Sequence, residues 1–445
     1  MSKVKFLASI IVFSICFTSF CSAETSLSPE DYGLDSQCLD STFKYAPGPL
    51  IFSRAGTTVF SKGDLAQPVP IFSISKSLVS MIVARLVQQG KISSLYENVM
   101  SYPTGTEGAG SYLGNVSYRD FLRNQSGFGV DPYGYLPGSK YSYNNNAFHF
   151  LAFNIHKRFF DETDISHMPI SAIFDLIGGN SSPVGFQGEG GGWFGGFSLS
   201  PSDFKKLLEL MKDYGQYGEN QILDRAYVEE INSKLGAISV NSTPMMIGSP
   251  SDKYNQTNIT ETMKPGPDGN YNSAWWIDAK KRYVYGDGYF GKVGIYSTDF
   301  DATIVSLAHS QYAWSAKQLF DAYLGCFITH PSIYEPSSGI KLTLYGSFKS
   351  NTKSNIVRIE GLPANGSVAL LSSKKANPQE IGSQIIFPDI SSGVGYFQIL
   401  SADHLGVASI EIDMPSNIPS GKTIFVQAVS LPEMIVSNAV ELSIP

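Results

Sequence analysis

The chain has 445 residues, 42% of them hydrophobic and 16% charged, with a formal net charge of −7. That length and apolar content suit a large-cored globular protein of two or three domains. The acidic balance, with no basic run and no interleaved aromatic stripe, argues against nucleic acid as a partner.

The chain opens with Lys3 and Lys5, then the uncharged apolar stretch Phe6 to Phe20, then Cys21-Ser22-Ala23. This order reads as a secretory leader over 1–23, with the mature chain starting at Glu24 in a periplasmic or extracellular setting. The apolar stretch is short for a bilayer span, which needs ~20 residues. No later stretch is apolar enough over such a length, so no stable membrane span is expected after cleavage. Removing the leader deletes two lysines and no acids, so the charge moves from −7 to −9. Cys16 and Cys21 leave with it, and Cys38 and Cys326 remain. A disulfide between these two and a pair of buried thiols are both compatible with the sequence. The histidines are scattered without metal-ligand spacing, and His149 and His156 read as packing, so neither metal nor cofactor is expected.

Ser75 to Gln89 has helical periodicity, with Leu78, Ile82, Val83 and Leu86 on one stripe and Gly90 as its stop. Pro201 to Tyr214 reads as a second helix, capped by Ser200 and carrying Lys205, Lys206 and Lys212 on its polar side. Ala302 to Ala308 reads as a buried strand. Pro331 to Ser338 has the composition of a linker. Beyond it lie short alternating runs: Ile340–Tyr345, Ile356–Ile359, Val368–Leu371, Gly395–Ile399, Ala408–Ile412 and Thr423–Val429. Their spacing suggests a β-sandwich.

The chemistry concentrates in two stretches. Phe72-Ser73-Ile74-Ser75-Lys76 places Ser-x-x-Lys at the opening of a helix. Residues three apart share a helical face, so the Lys76 amine can reach the Ser73 hydroxyl. The helix start favours negative charge near Ser73 and disfavours a charged Lys76, which suits the lysine to act as a base. The same spacing recurs at Ser202, Ser350 and Ser372, but only Ser73 has apolar surroundings. The second stretch is Pro137-Gly138, then Tyr143-Asn144-Asn145, then an apolar helix. Tyr143 is suited to carry a proton if a lysine stabilises its phenolate. Asn145 is suited to orient Lys76 and to donate to a substrate carbonyl. A core tyrosine beside a helix-capping asparagine run is the plainer reading of the same residues.

Ser-x-x-Lys followed by Tyr-x-Asn resembles the serine β-lactamase-like and penicillin-binding-protein-like family. That family includes class C β-lactamases, D-alanyl-D-alanine carboxypeptidases, esterases and 6-aminohexanoate-dimer hydrolases. The likeness runs from about residue 50 to about 330 and takes in Tyr118 to Phe128, Gly195 to Phe204, Trp275-Trp276 and Tyr285 to Gly291. It implies an α/β fold, with an antiparallel sheet flanked by helices plus a helical subdomain. A serine hydrolase domain over 24–335 and an Ig-like sandwich over 336–445 are expected.

The family's third motif, usually Lys or His, then Ser or Thr, then Gly, aligns with Gly286-Asp287-Gly288. The cation is missing and an acid is present, which argues against β-lactam or D-Ala-D-Ala substrates. A rival alignment uses Lys292-Val293-Gly294. The resemblance also implies an oxyanion hole from the backbone N–H groups of Ser73 and Tyr289.

The reading is therefore acyl transfer by Ser73, Lys76 and Tyr143 on a small-molecule ester, amide or peptide-like substrate. A penicillin-binding peptidase or β-lactamase, and a non-catalytic wall- or ligand-binding protein, are the alternatives.

Overall fold

The computed structural model describes residues 28–99, 116–127, 136–139, 141, 143–160, 167–179, 185–186, 195–232, 238–239, 270–278, 283–310, 313–329, 332–334 and most of 339–444. The expected leader lies outside the described residues. Among those residues, no helix is long and apolar enough to cross a membrane.

An antiparallel sheet of eight strands forms the centre of the first region. In spatial order the strands are Thr57–Lys62, Leu50–Arg54, Ala302–Leu307, Lys292–Ser297, Tyr283–Gly288, Trp275–Asp278, Asn270–Asn272 and Ile238–Ser239. Ala302–Leu307 is buried along its whole length, as a central strand with helices over both faces requires. Alternation along Tyr283–Gly288 divides two cores. Val284 joins the larger core, which contains Ile74, Leu78 and Phe148. Tyr283 and Tyr285 face the other way, into a cluster with Phe43, Phe320 and Tyr143.

Two helices cover that second face. Helix α1 spans Ser36–Phe43 and begins where the Asp35 carboxylate accepts from the Cys38 N–H at 2.9 Å. The Ala316–Gly325 helix begins with a reciprocal Ser315–Gln318 capping box. Cys38 and Cys326 are bonded to each other across a separation of 288 residues, joining these two helices.

Helix α2, Ser75–Gln88, lies against the opposite face and ends before Gly90, whose φ is +67°. It is buried far beyond the expected stripe. Ser77 donates to the Ala274 carbonyl at 2.7 Å, and Ser80 donates to the Ser273 carbonyl at 2.7 Å. Small hydroxylated residues let the helix approach the sheet while satisfying carbonyls that packing has dried. The second expected helix spans Pro201–Lys212, with Ser200 accepting from the Asp203 N–H at 3.1 Å. One expectation for it needs correction. Lys212 is buried, not on the polar side, because its ammonium sits among Glu209, Asp213 and Asp301.

The C-terminal runs form a five-stranded and a three-stranded antiparallel sheet, with a further two-stranded pair. Leu342, Leu344 and Val357 from the smaller sheet share one apolar cluster with Val368, Ala428 and Val440 from the larger. That shared interior is what makes the two sheets a sandwich. The expected linker is partly strand. Ser332–Tyr334 pairs with Val436–Ile444 through Ser332↔Val440 and Tyr334↔Ala439. Three residues are too few to show a period of two in sequence, and here the backbone partner decides the conformation.

Candidate active site

Ser73 lies in a single 3₁₀ turn, Phe72–Ile74, that runs directly into α2. The residue before it, Phe72, has φ +48°, a backbone region that a side chain with a Cβ seldom occupies. Several contacts hold it there. The Ile71 N–H donates to the Phe197 carbonyl at 2.9 Å, and the Phe197 N–H donates to the Ser75 hydroxyl at 3.2 Å. The Phe72 ring meets Tyr289, Phe290 and His309 at centroid distances of 6.0, 6.1 and 6.3 Å.

Lys76 Nζ is 3.1 Å from Ser73 Oγ. The Lys76 side chain is 1% exposed, and burial lowers its pKa well below the ordinary lysine value. The amine also lies 4.7 Å from the centroid of the Tyr143 ring. The Tyr143 phenol lies close enough to the Ser73 side chain to be influenced by it. Hydroxyl, amine and phenol are thus gathered at one point, although Tyr143 is 70 residues from Ser73 in the chain.

A Tyr143 phenolate, which would need a lysine to stabilise it, is opposed by these surroundings. Burial raises the Tyr143 pKa, the nearby Ser73 side chain lowers it, and the Asp287 charge raises it, with a net result well above the ordinary tyrosine value. Tyr143 therefore keeps its proton near neutral pH, and the buried lysine is the group suited to accept one.

The loop carrying Tyr143 is anchored by residues to which the sequence assigned no role of their own. Asn124, at φ +54°, accepts the Asn144 N–H at 3.1 Å through its side-chain oxygen and lies near the Tyr271 phenol. Gln125 and Gly138 exchange a backbone bond at 3.0 Å and a side-chain bond at 3.1 Å. Asparagine tolerates the left-handed region, and that is the one local signal the sequence offered for Asn124. Asn144 caps the helix Asn145–Phe159 by accepting from the Ala147 N–H at 3.1 Å. The capping reading of the asparagine run therefore holds, and Asn145 opens the helix that follows Tyr143.

The strand Tyr283–Gly288 brings the third-motif residues to the same turn. A Cβ on Gly286 would touch Ile74 and Ser77 at 3.4 Å, so this glycine faces α2. Asp287 points to the other face and keeps solvent-exposed surface, yet protein crowds it. Desolvation raises its carboxyl to about 7, against the stabilising N–H of Gly288. Tyr289 stands at the turn after the strand, 53% exposed and edge-on to Phe72. Lys292, the key residue of the rival alignment, is buried and lowered to about 8. It donates to the carbonyls of Leu307 and Ala308, at the end of the neighbouring strand.

The sequence matches no protein-family model and no curated protein. Solved structures that align with it include a protein from Bacillus anthracis provisionally described as a 6-aminohexanoate-dimer hydrolase. It is 14% identical, with 67% of this chain and 84% of that chain covered and a TM-score of 0.46. A penicillin-binding protein homolog from Caulobacter crescentus aligns at 12% identity, covering 64% of this chain and 94% of that one, with a TM-score of 0.46. A D-stereospecific amidohydrolase from Streptomyces sp. aligns at 12% identity, covering 67% and 98%, with a TM-score of 0.43.

Proposed function

We propose that the chain is an exported serine hydrolase that cleaves a carboxylester or amide through an acyl-enzyme on Ser73. The observation that carries this reading is the 3.1 Å approach of a fully buried Lys76 amine to Ser73 Oγ, with the Tyr143 ring 4.7 Å from the same amine.

In this mechanism neutral Lys76 accepts the Ser73 proton as Oγ attacks the substrate carbonyl. Tyr143, a phenol within reach of the same oxygen, donates toward the leaving group and is reprotonated from Lys76. The N–H groups of Ser73 and Tyr289 receive the developing oxyanion, an arrangement worth ~3–4 kcal/mol per donor. Asn145 orients Lys76 and the substrate carbonyl. Water then attacks the ester on Ser73, with Lys76 and Tyr143 reversing their roles. The acid at Asp287, where a cation would meet a substrate carboxylate, speaks against a penicillin-binding peptidase or β-lactamase. The Cys38–Cys326 bond supports export into an oxidising compartment.

A fluorophosphonate probe tests the proposal. The wild-type protein should be labelled and Ser73→Ala should not. Equal labelling of the two proteins would remove Ser73 as nucleophile.

A further inference from the structure

Asp287 occupies a position with a distinct chemical character. Its neighbours along the strand, Gly286 and Gly288, turn toward Ile74 and the Ile71 carbonyl. Asp287 therefore turns to the opposite face, opposite Val293 and on the side of Tyr285. Tyr285 stands beside Trp276 at a centroid distance of 6.5 Å, Trp276 meets Tyr271 at 4.8 Å, and Tyr271 meets Tyr141 at 5.4 Å. The carboxylate thus ends a row of aromatic rings that shares its cluster with Tyr143. It is near enough for its charge to oppose the ionisation of Tyr143.

Asp287 receives the Gly288 N–H, and among the described residues no lysine, arginine or histidine is paired with it. An exposed carboxylate crowded by protein, with no cation paired to it among the described residues and on the sheet face that carries Tyr285, is a site that an organic cation would complete.

We infer that Asp287 selects substrates carrying a positively charged amine or quaternary ammonium a few bonds from the scissile carbonyl. The cation sits between the Asp287 carboxylate and the Trp276–Tyr285 wall. The inference rests on the proposed hydrolase reading and names its substrate class. It explains the missing cation of the third motif as a reversal of charge preference. A carboxyl that desolvation holds near 7 regains its charge when such a partner binds.

The test uses three activated esters of one chain length: trimethylammonio-butanoate, its carbon isostere with a tert-butyl group, and the monoester of glutarate. The measured quantity is kcat/KM for each, with fluorophosphonate labelling run on every variant. Wild-type protein should favour the cationic ester over its neutral isostere by about tenfold, a typical effect of one partly desolvated charge pair. In Asp287→Asn that ratio should fall toward one, and in Asp287→Lys the order should invert toward the glutarate ester. Labelled wild-type protein that shows no preference, or a preference unchanged in Asp287→Asn, overturns the inference and leaves the hydrolase reading intact. Failure of wild-type protein to be labelled or to turn over any of the three esters overturns both.

Discussion

Gly288 stands against Ile71 where no side chain fits: a Cβ there would lie 2.4 Å from the Ile71 carbonyl oxygen and 3.0 Å from Lys292 Cβ. The carbonyl belongs to the residue that opens the Phe72–Ile74 turn, so the sheet edge and the turn hold each other in place.

Gly288→Ala should therefore push the Tyr289 N–H away from Ser73. We expect a loss of about 10²-fold in kcat/KM, the usual effect of an ångström-scale displacement, with destabilisation of about 1–3 kcal/mol from overpacking. Ester turnover and a denaturant melt on one preparation measure both. Unchanged kcat/KM in a folded variant would detach this strand from the chemistry.

Lys76→Met should separate activity from stability. Removing the base should slow fluorophosphonate labelling by about 10³-fold. The buried amine carries a desolvation penalty, so an apolar side chain of similar length should raise the melting temperature at neutral pH. A lysine whose folded pKa is lowered loses its proton on folding while the unfolded chain retains it. Wild-type stability should then climb with pH between the lowered value and the ordinary 10.5. Labelling of wild-type protein should climb as pH rises through the lowered value. A Lys76→Met variant that labels at the wild-type rate would contradict the assignment.

Asp287 acts in the opposite sense. The folded carboxyl titrates at about 7 and the ordinary value is 3.8, so between the two the unfolded chain has released a proton that the folded chain keeps. Stability falls as pH rises through that window. Asp287→Asn should flatten the slope and be the more stable protein at pH above about 7, measured by urea titration across the window. Parallel slopes for the two proteins would show that Asp287 is solvated.

The bond between Cys38 and Cys326 closes a loop spanning a separation of 288 residues. A Cys38→Ser, Cys326→Ser double variant should lose up to roughly 5 kcal/mol, the limit set by loop-closure entropy. Reductant should lower the wild-type denaturation midpoint and leave that of the double variant unchanged. Equal midpoints for oxidised wild type and double variant would mean that the bond constrains nothing the fold does not already fix.

The approach of Lys76 to Ser73 was legible because the two lie three residues apart across a helix start, where spacing brings their side chains together. The arrival of Tyr143 was legible through motif order, since nothing local says that a residue 70 positions away completes the same site. The anchors were not legible. Asn124 acts through a bond to the backbone of Asn144, which depends on tertiary approach. Phe72 gives no hint of its left-handed backbone, because the turn around it imposes that conformation. Lys212 was misread for a related reason: Asp301, the acid that draws it inward, comes from a distant turn.

The pairing of Ser332–Tyr334 with Val436–Ile444 sets a condition on how the molecule is made. Ser332 pairs with Val440, so this segment finds its neighbour more than a hundred residues further along the chain. During translation its hydrogen-bonding edge waits uncovered until that later strand has emerged. Loss of Val436–Ile444 would therefore leave one strand without a mate and the sandwich open along that side.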